Sequence, residues 1–153
     1  MKLAEALMLR ADHQKKVEQL RQRLMRNAKV QDGEQPAEDP QVLLGELDDA
    51  IAQLTSLIQR INRANSATDF GDNTTLTDAL AQRDTLLTRR NVLSSLVQSA
   101  SITHDRYSRS EVRFVSTVNI ANLQRQLDSI SQEYRLLDSR IQALNWQVEL
   151  IHM

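Results

Sequence analysis

The chain has 153 residues with 19 Lys and Arg against 20 Asp and Glu, a formal net charge of −1. Only three glycines, two prolines and 3% aromatic residues are present. That is low for a mixed or all-β protein, which needs turn residues and aromatic strands, and it fits long helices with few connections. The absence of cysteine excludes disulfides, thiolate catalysis and cysteine-based metal sites, and makes the cytoplasm the expected compartment. Mean hydropathy is −0.47, no apolar run approaches the ~18 residues of a membrane span, and the start Met1-Lys2-Leu3-Ala4-Glu5 does not read as an export signal.

Helix 1 is expected over about 3–28, with Leu3, Leu7, Val17, Leu20 and Leu24 on its apolar side. Its middle, Arg10 to Lys16, is polar, so that stretch is either exposed or covered by another subunit. Charge is unevenly spread here. Residues 1–30 hold eight Lys and Arg against three acids, whereas 31–50 hold seven acids and no Lys or Arg. A basic arm for nucleic acid is one reading. The other is dipole complementarity, with cations late in one helix and acids early in the next, each block neutralising its neighbour.

Gly33, Pro36 and Pro40 mark a loop, and Asp39 before Pro40 is an N-cap followed by proline at the first helical position. Helix 2 is expected over about 40–65, its stripe being Leu44, Leu47, Ile51, Leu54, Ile58 and Ile61. Asn65 to Thr74 reads as a second loop, in which Asp69-Phe70-Gly71 is a turn. Helix 3 follows over about 75–101, with Thr75 as its cap. Arg83 and Arg90 fall at two a-type positions of its seam. Unpaired charges there are costly. Either carboxylates pair with them, or the buried face rotates towards Leu80 and Leu87 and leaves both arginines outside, and rotation is the expectation.

Residues 102–118 form the longest non-helical stretch. Its second half, Val112 to Val118, is β-prone, and it would pair within the chain, pair with a second chain, or pack as extended coil. Helix 4 is expected over about 119–151, capped by Asn119. An apolar residue returns at Ile120, Leu123, Leu127, Ile130, Tyr134, Leu137, Ile141, Leu144, Val148 and Ile151, a strict 3-4 alternation. Such a seam faces one long partner surface. Leu136, Ala143, Leu150 and Trp146 lie outside it, so helix 4 is expected to be contacted on more than one side. The whole chain, 1–153, reads as a single helical domain of the all-α class, a long-helix antiparallel bundle of four helices with a long loop and short extended segment before the last helix.

Chemistry is sparse in this pattern. Glu149-Leu150-Ile151-His152 has the Glu-x-x-His spacing of di-iron bundles, but such sites need a second motif of this kind plus two inward glutamates and no second motif exists, so no metal site is expected. No Gly-rich phosphate loop, no calcium loop and no Gly-x-Ser-x-Gly occurs. No catalytic residue, cofactor or enzyme activity is therefore expected. The best candidate for a ligand site is the Arg-rich loop 102–118, where Arg106, Tyr107, Arg109 and Arg113 combine forks and an aromatic ring suited to phosphate or a nucleic-acid backbone. Its alternative role is structural, with Arg106, Arg109 and Arg113 paired to Asp105, Glu111 and the acids of neighbouring subunits. The helix 4 row Leu123, Leu127, Ile130, Tyr134, Leu137, Ile141 and Leu144 is the candidate interface of a homo-oligomer.

Several stretches carry a resemblance that spans almost the whole chain. They are Met1 to Leu7, Arg26 to Pro40, Ile61-Asn62-Arg63, Leu76 to Leu80, Asp105 to Glu111, Phe114 to Val118 and Ala143-Leu144-Asn145-Trp146. In these the chain resembles a family of small bacterial helical proteins of uncharacterised function, some of whose members bear the label septicolysin. The resemblance implies a helical bacterial protein and brings no catalytic residues. The label implies membrane lysis, whereas the amphipathic helices here are explained by mutual packing and their polar faces are not Lys-rich throughout. The expectation is a non-enzymatic, self-assembling helical protein, with anion or nucleic-acid binding through the Arg-rich loop as the alternative and a membrane-active toxin as the remaining reading.

Overall fold

The computed structural model describes residues 1–101 and 112–151. The all-α expectation holds. Four helices, α1 (Leu3–Arg26), α2 (Pro40–Ala67), α3 (Leu76–Ala100) and α4 (Ile120–Gln147), carry the fold, with a small hairpin of β1 (Asp69–Gly71) and β2 (Thr74–Thr75) between α2 and α3. The chain divides into two compact units, one of Met1–Leu76 with Gln142–Met153 and one of Thr77–Ile141.

In the first unit α1 and α2 lie antiparallel. Leu20 of α1 is buried against Leu43 and Ala50 of α2, with Val17, Leu24 and Leu47 packed around them. Helix α2 starts as its sequence demands: Asp39 Oδ1 accepts from Gln41 N at 2.9 Å, and Pro40, which has no N–H to leave unpaired, is the first helical residue. Its buried row is Leu43, Ala50, Leu57, Ile61 and Ala64. This corrects the expected stripe by about one residue, because Leu44 and Ile51 are exposed at 41% and 42%. The reason is alanine. Ala50 lets α1 approach closely along a row that counts as weakly apolar, while the bulkier Leu44–Ile51 row sits on its flank.

The expected loop 65–74 is largely structured. Helix α2 runs two residues further, and β1 and β2 then pair antiparallel. Asp72 and Asn73 have φ of 51° and 57°, the two consecutive left-handed residues of a tight two-residue hairpin, which Asp and Asn tolerate best among side-chain-bearing residues. Asp69 Oδ1 accepts from Gly71 N at 3.1 Å, and Thr74 Oγ1 donates to Gly71 O at 2.6 Å. Leu76 N then bonds Thr68 O at 2.9 Å, closing the hairpin at the start of α3.

Helix α4 ends at Gln147, not near Ile151. Beyond it the backbone turns extended and pairs with the N-terminus: Leu3 N donates to Val148 O at 2.8 Å and Leu150 N to Met1 O at 2.9 Å. Leu3 at the start of α1 and Leu150 in this tail are both buried. The heptad periodicity at Val148 and Ile151 therefore continues past the helix itself.

In the second unit α3 meets α4 through polar contacts. Arg83 donates from Nη1 to Asp138 Oδ1 at 2.9 Å, and the Arg90 guanidinium carbon lies 5.7 Å from the centroid of the Tyr134 ring. Both arginines are half-buried. The expected rotation of the face away from them does not occur, since α4 supplies a carboxylate and a ring where the charges sit. Asn119 caps α4, its Oδ1 accepting from Asn122 N at 3.0 Å. Residues 112–118 form no strand, and most of them are exposed.

Candidate functional site

The sequence-predicted ligand site splits in two. Arg106, Tyr107 and Arg109 lie outside the described residues, as does His152 of the Glu-x-x-His spacing. Arg113 is exposed in the segment before α4, next to Val112, Phe114 and Val115, which are 67%, 77% and 76% exposed. Of the predicted interface row, Leu123, Ile130, Leu137 and Ile141 are buried within the single chain, while Leu127, Tyr134 and Leu144 are half-buried. Leu136 and Trp146 are exposed.

Glu149 is an ion-pairing group. Its Oε2 lies 3.0 Å from the Met1 amino group and its Oε1 2.8 Å from Lys2 Nζ. The hydrogen bond from Lys2, followed by that from the N-terminal amine, holds its carboxyl below the ordinary glutamate range. Among the described residues no group of three or more His, Cys, Asp or Glu is placed to hold a metal ion.

The basic and acidic stretches of the sequence meet at Arg23. Its Nε donates to both Glu38 carboxylate oxygens at 3.2 and 3.1 Å, Nη2 donates to Oε1, and Nη1 lies 3.6 Å from Glu46 Oε2. The side-on fork of the guanidinium is thereby filled by one carboxylate. The hydrogen bond to Arg23 lowers the pKa of Glu38, and the hydrogen bond from Glu38 raises that of Arg23. Asn27, one turn on and buried, donates Nδ2 to Arg23 O at 2.8 Å and accepts from Glu38 N at 3.0 Å through Oδ1. The loop between α1 and α2 is thus anchored by the polar side chains of Arg23, Asn27 and Glu38.

Further along the same helix pair, an open groove of about 460 Å³ lies between Leu9 and His13 of α1 and the Ala52–Arg60 stretch of α2. Gln53, Ser56 and Leu57 complete its lining, and none of the described lining residues is acidic. Arg60 Nε and Nη2 are covered from solvent and have no hydrogen-bond partner. Sequence reasoning did not find this groove. Its one signal was the polar middle of helix 1, Arg10 to Lys16, which has to face something other than an apolar core; there Arg10 and His13 are half-buried while their neighbours are exposed.

Comparison with known proteins adds kinship without an activity. No curated protein matches the chain. Among solved structures it is similar to the crystal structure of a functionally unknown conserved protein from Corynebacterium diphtheriae, with 45% sequence identity, a TM-score of 0.92 and 99% of each chain covered. A family model described as a family of unknown function (DUF6847) matches residues 10–150, and the chain belongs to that family.

Proposed function

We propose that this is a cytoplasmic, non-enzymatic helical protein that assembles reversibly with further copies of itself, using α2 as the contact helix. The observation that supports the reading is the second apolar row of α2. Leu44 and Ile51 are exposed at 41% and 42%, and Ile58 continues the row half-buried, while the chain's own packing uses the neighbouring row from Leu43 to Ala64. Residues seven apart stay on one side of a helix and can meet the same row of a second helix. Asp48, Thr55 and Asn62 flank the row, so the contact is narrow and edged with polar groups. Contacts of that kind are weak and concentration-dependent.

Light scattering behind a sizing column is the test. A mass that rises with concentration to a discrete multiple of 17.5 kDa, and falls back to it in Ile51→Glu, is the expected result. A mass of one chain at every concentration overturns the proposal. Among the described residues no helix is long and apolar enough to cross a membrane.

A further inference from the structure

Arg23 and Arg60 are both half-buried arginines of the α1–α2 pair, and they differ in one respect. The Nε and Nη2 edge of Arg23 is filled by the Glu38 carboxylate. The same edge of Arg60 is covered and meets no acceptor. A guanidinium cannot shed its charge by losing a proton, as a buried lysine can, so covered donors without a partner stay charged and unsatisfied. Such an orphaned pair calls for an acceptor that the chain does not itself provide.

The surroundings name the acceptor's chemistry. Two parallel N–H groups match the two oxygens of a carboxylate or of a phosphate ester. The groove at Arg60 adds an imidazole from His13, an amide from Gln53 and a hydroxyl from Ser56, with Leu9 and Leu57 as apolar walls. No carboxylate among the described lining residues competes for the fork. Its volume, about 460 Å³, lies in the range of small-molecule sites.

We propose that this groove binds a small, partly apolar oxyanion, a carboxylate or phosphate ester, through the Nε and Nη2 fork of Arg60. Binding there requires the fork to turn out of its covered position, exchanging two unpaired donors for a bidentate contact. His13, Gln53 and Ser56 orient the ligand, and Leu9 and Leu57 hold its apolar part. The site does not depend on self-assembly, because α2 presents Ile51 and Arg60 on opposite sides: nine residues at ~100° each place them half a turn apart.

The test titrates the full chain with benzoate and, separately, with phenyl phosphate at constant ionic strength, following the Arg60 Nε–H resonance and the His13 ring by NMR. Saturable movement of both is expected with at least one ligand. Movement with benzoate alone assigns a carboxylate, and with phenyl phosphate alone a phosphate ester. Arg60→Lys keeps the charge and loses the fork, so it should weaken binding at least tenfold. Ser56→Glu places an acid four residues before Arg60, the favourable spacing for an ion pair along a helix, and should fill the fork and abolish binding while raising the melting temperature. Neither ligand moving the Arg60 resonance, or Arg60→Lys binding as tightly as the parent, overturns the proposal.

Discussion

Leu43 and Leu44 are adjacent, chemically identical and 2% and 41% exposed. Truncating each in turn therefore tests the register of α2 directly. Leu43→Ala removes about three methyl or methylene groups, worth roughly 0.8 kcal/mol apiece on transfer from water. The close packing against Leu20 leaves part of the space unfilled, and fully buried Leu→Ala changes of this kind cost about 2.7–5.0 kcal/mol. About 3 kcal/mol is the expected loss. Leu44 still covers part of its surface against its neighbours but opens to solvent, so no cavity forms, and alanine's higher helix propensity returns a few tenths of a kcal/mol. Its cost should be under ~1 kcal/mol. For a chain of this size a 3 kcal/mol loss lowers the melting temperature by roughly 6–12 °C. Urea unfolding followed by circular dichroism, at a protein concentration low enough to suppress association, measures both. Equal losses, or a larger one for Leu44→Ala, would refute the register and with it the claim that the Leu44–Ile51 row is free for a second copy.

Two further outcomes follow from the polar anchors. Asp39→Ala removes the acceptor for Gln41 N at the start of α2 and should cost about 1 kcal/mol, whereas Asp39→Asn, which keeps a side-chain oxygen, should cost much less; the same urea assay separates them. Glu38 and Glu149 both have folded pKa values below the ordinary 4.5, held down by Arg23 and by Lys2 with the N-terminal amine. An acid that is easier to ionise when folded stabilises the fold above its unfolded pKa and loses that contribution as pH falls through the lower, folded value. Stability should therefore be flat from neutral pH down to about 5 on this account and decline below it, and Glu149→Gln should flatten part of the decline. A melting temperature indifferent to that substitution across pH 3–5 would contradict the pairing.

The helices were legible because their signals are local. Asp39-Pro40 and Asn119 are caps whose bonding geometry needs only the next two or three residues, and both form as read. The register of α2 was not legible, since apolar counting favours Leu44 and Ile51 over Ala50, and only contact with α1 makes a small residue the better core position. The end of α4 was missed for a similar reason. Val148 fits both a heptad and an extended segment, and the backbone of Met1 to Leu3, nearly 150 residues away in sequence, decides between them. Arg83 behaved as the charged seam residue that it looks like because Asp138 lies opposite, a pairing between helices that a one-dimensional pattern does not contain. The groove at Arg60 rests on an absence of partners, and no sequence pattern encodes that.

Helix α2 carries three demands on three sides. Leu43 and Ala50 hold α1, Leu44 and Ile51 remain outside on one flank, and Gln53, Ser56 and Arg60 line the groove on the other. Because successive residues step by ~100°, a substitution at Ile51 alters the first flank and leaves the groove side unchanged, and one at Arg60 does the reverse. The effects of Ile51→Glu on mass and of Arg60→Lys on ligand affinity should therefore be independent, and the double variant should show their sum, as separated sites without shared partners do. Coupling between them would mean that oxyanion binding and assembly share a state of α2. That result would place the groove's ligand in control of association, which neither flank implies by itself.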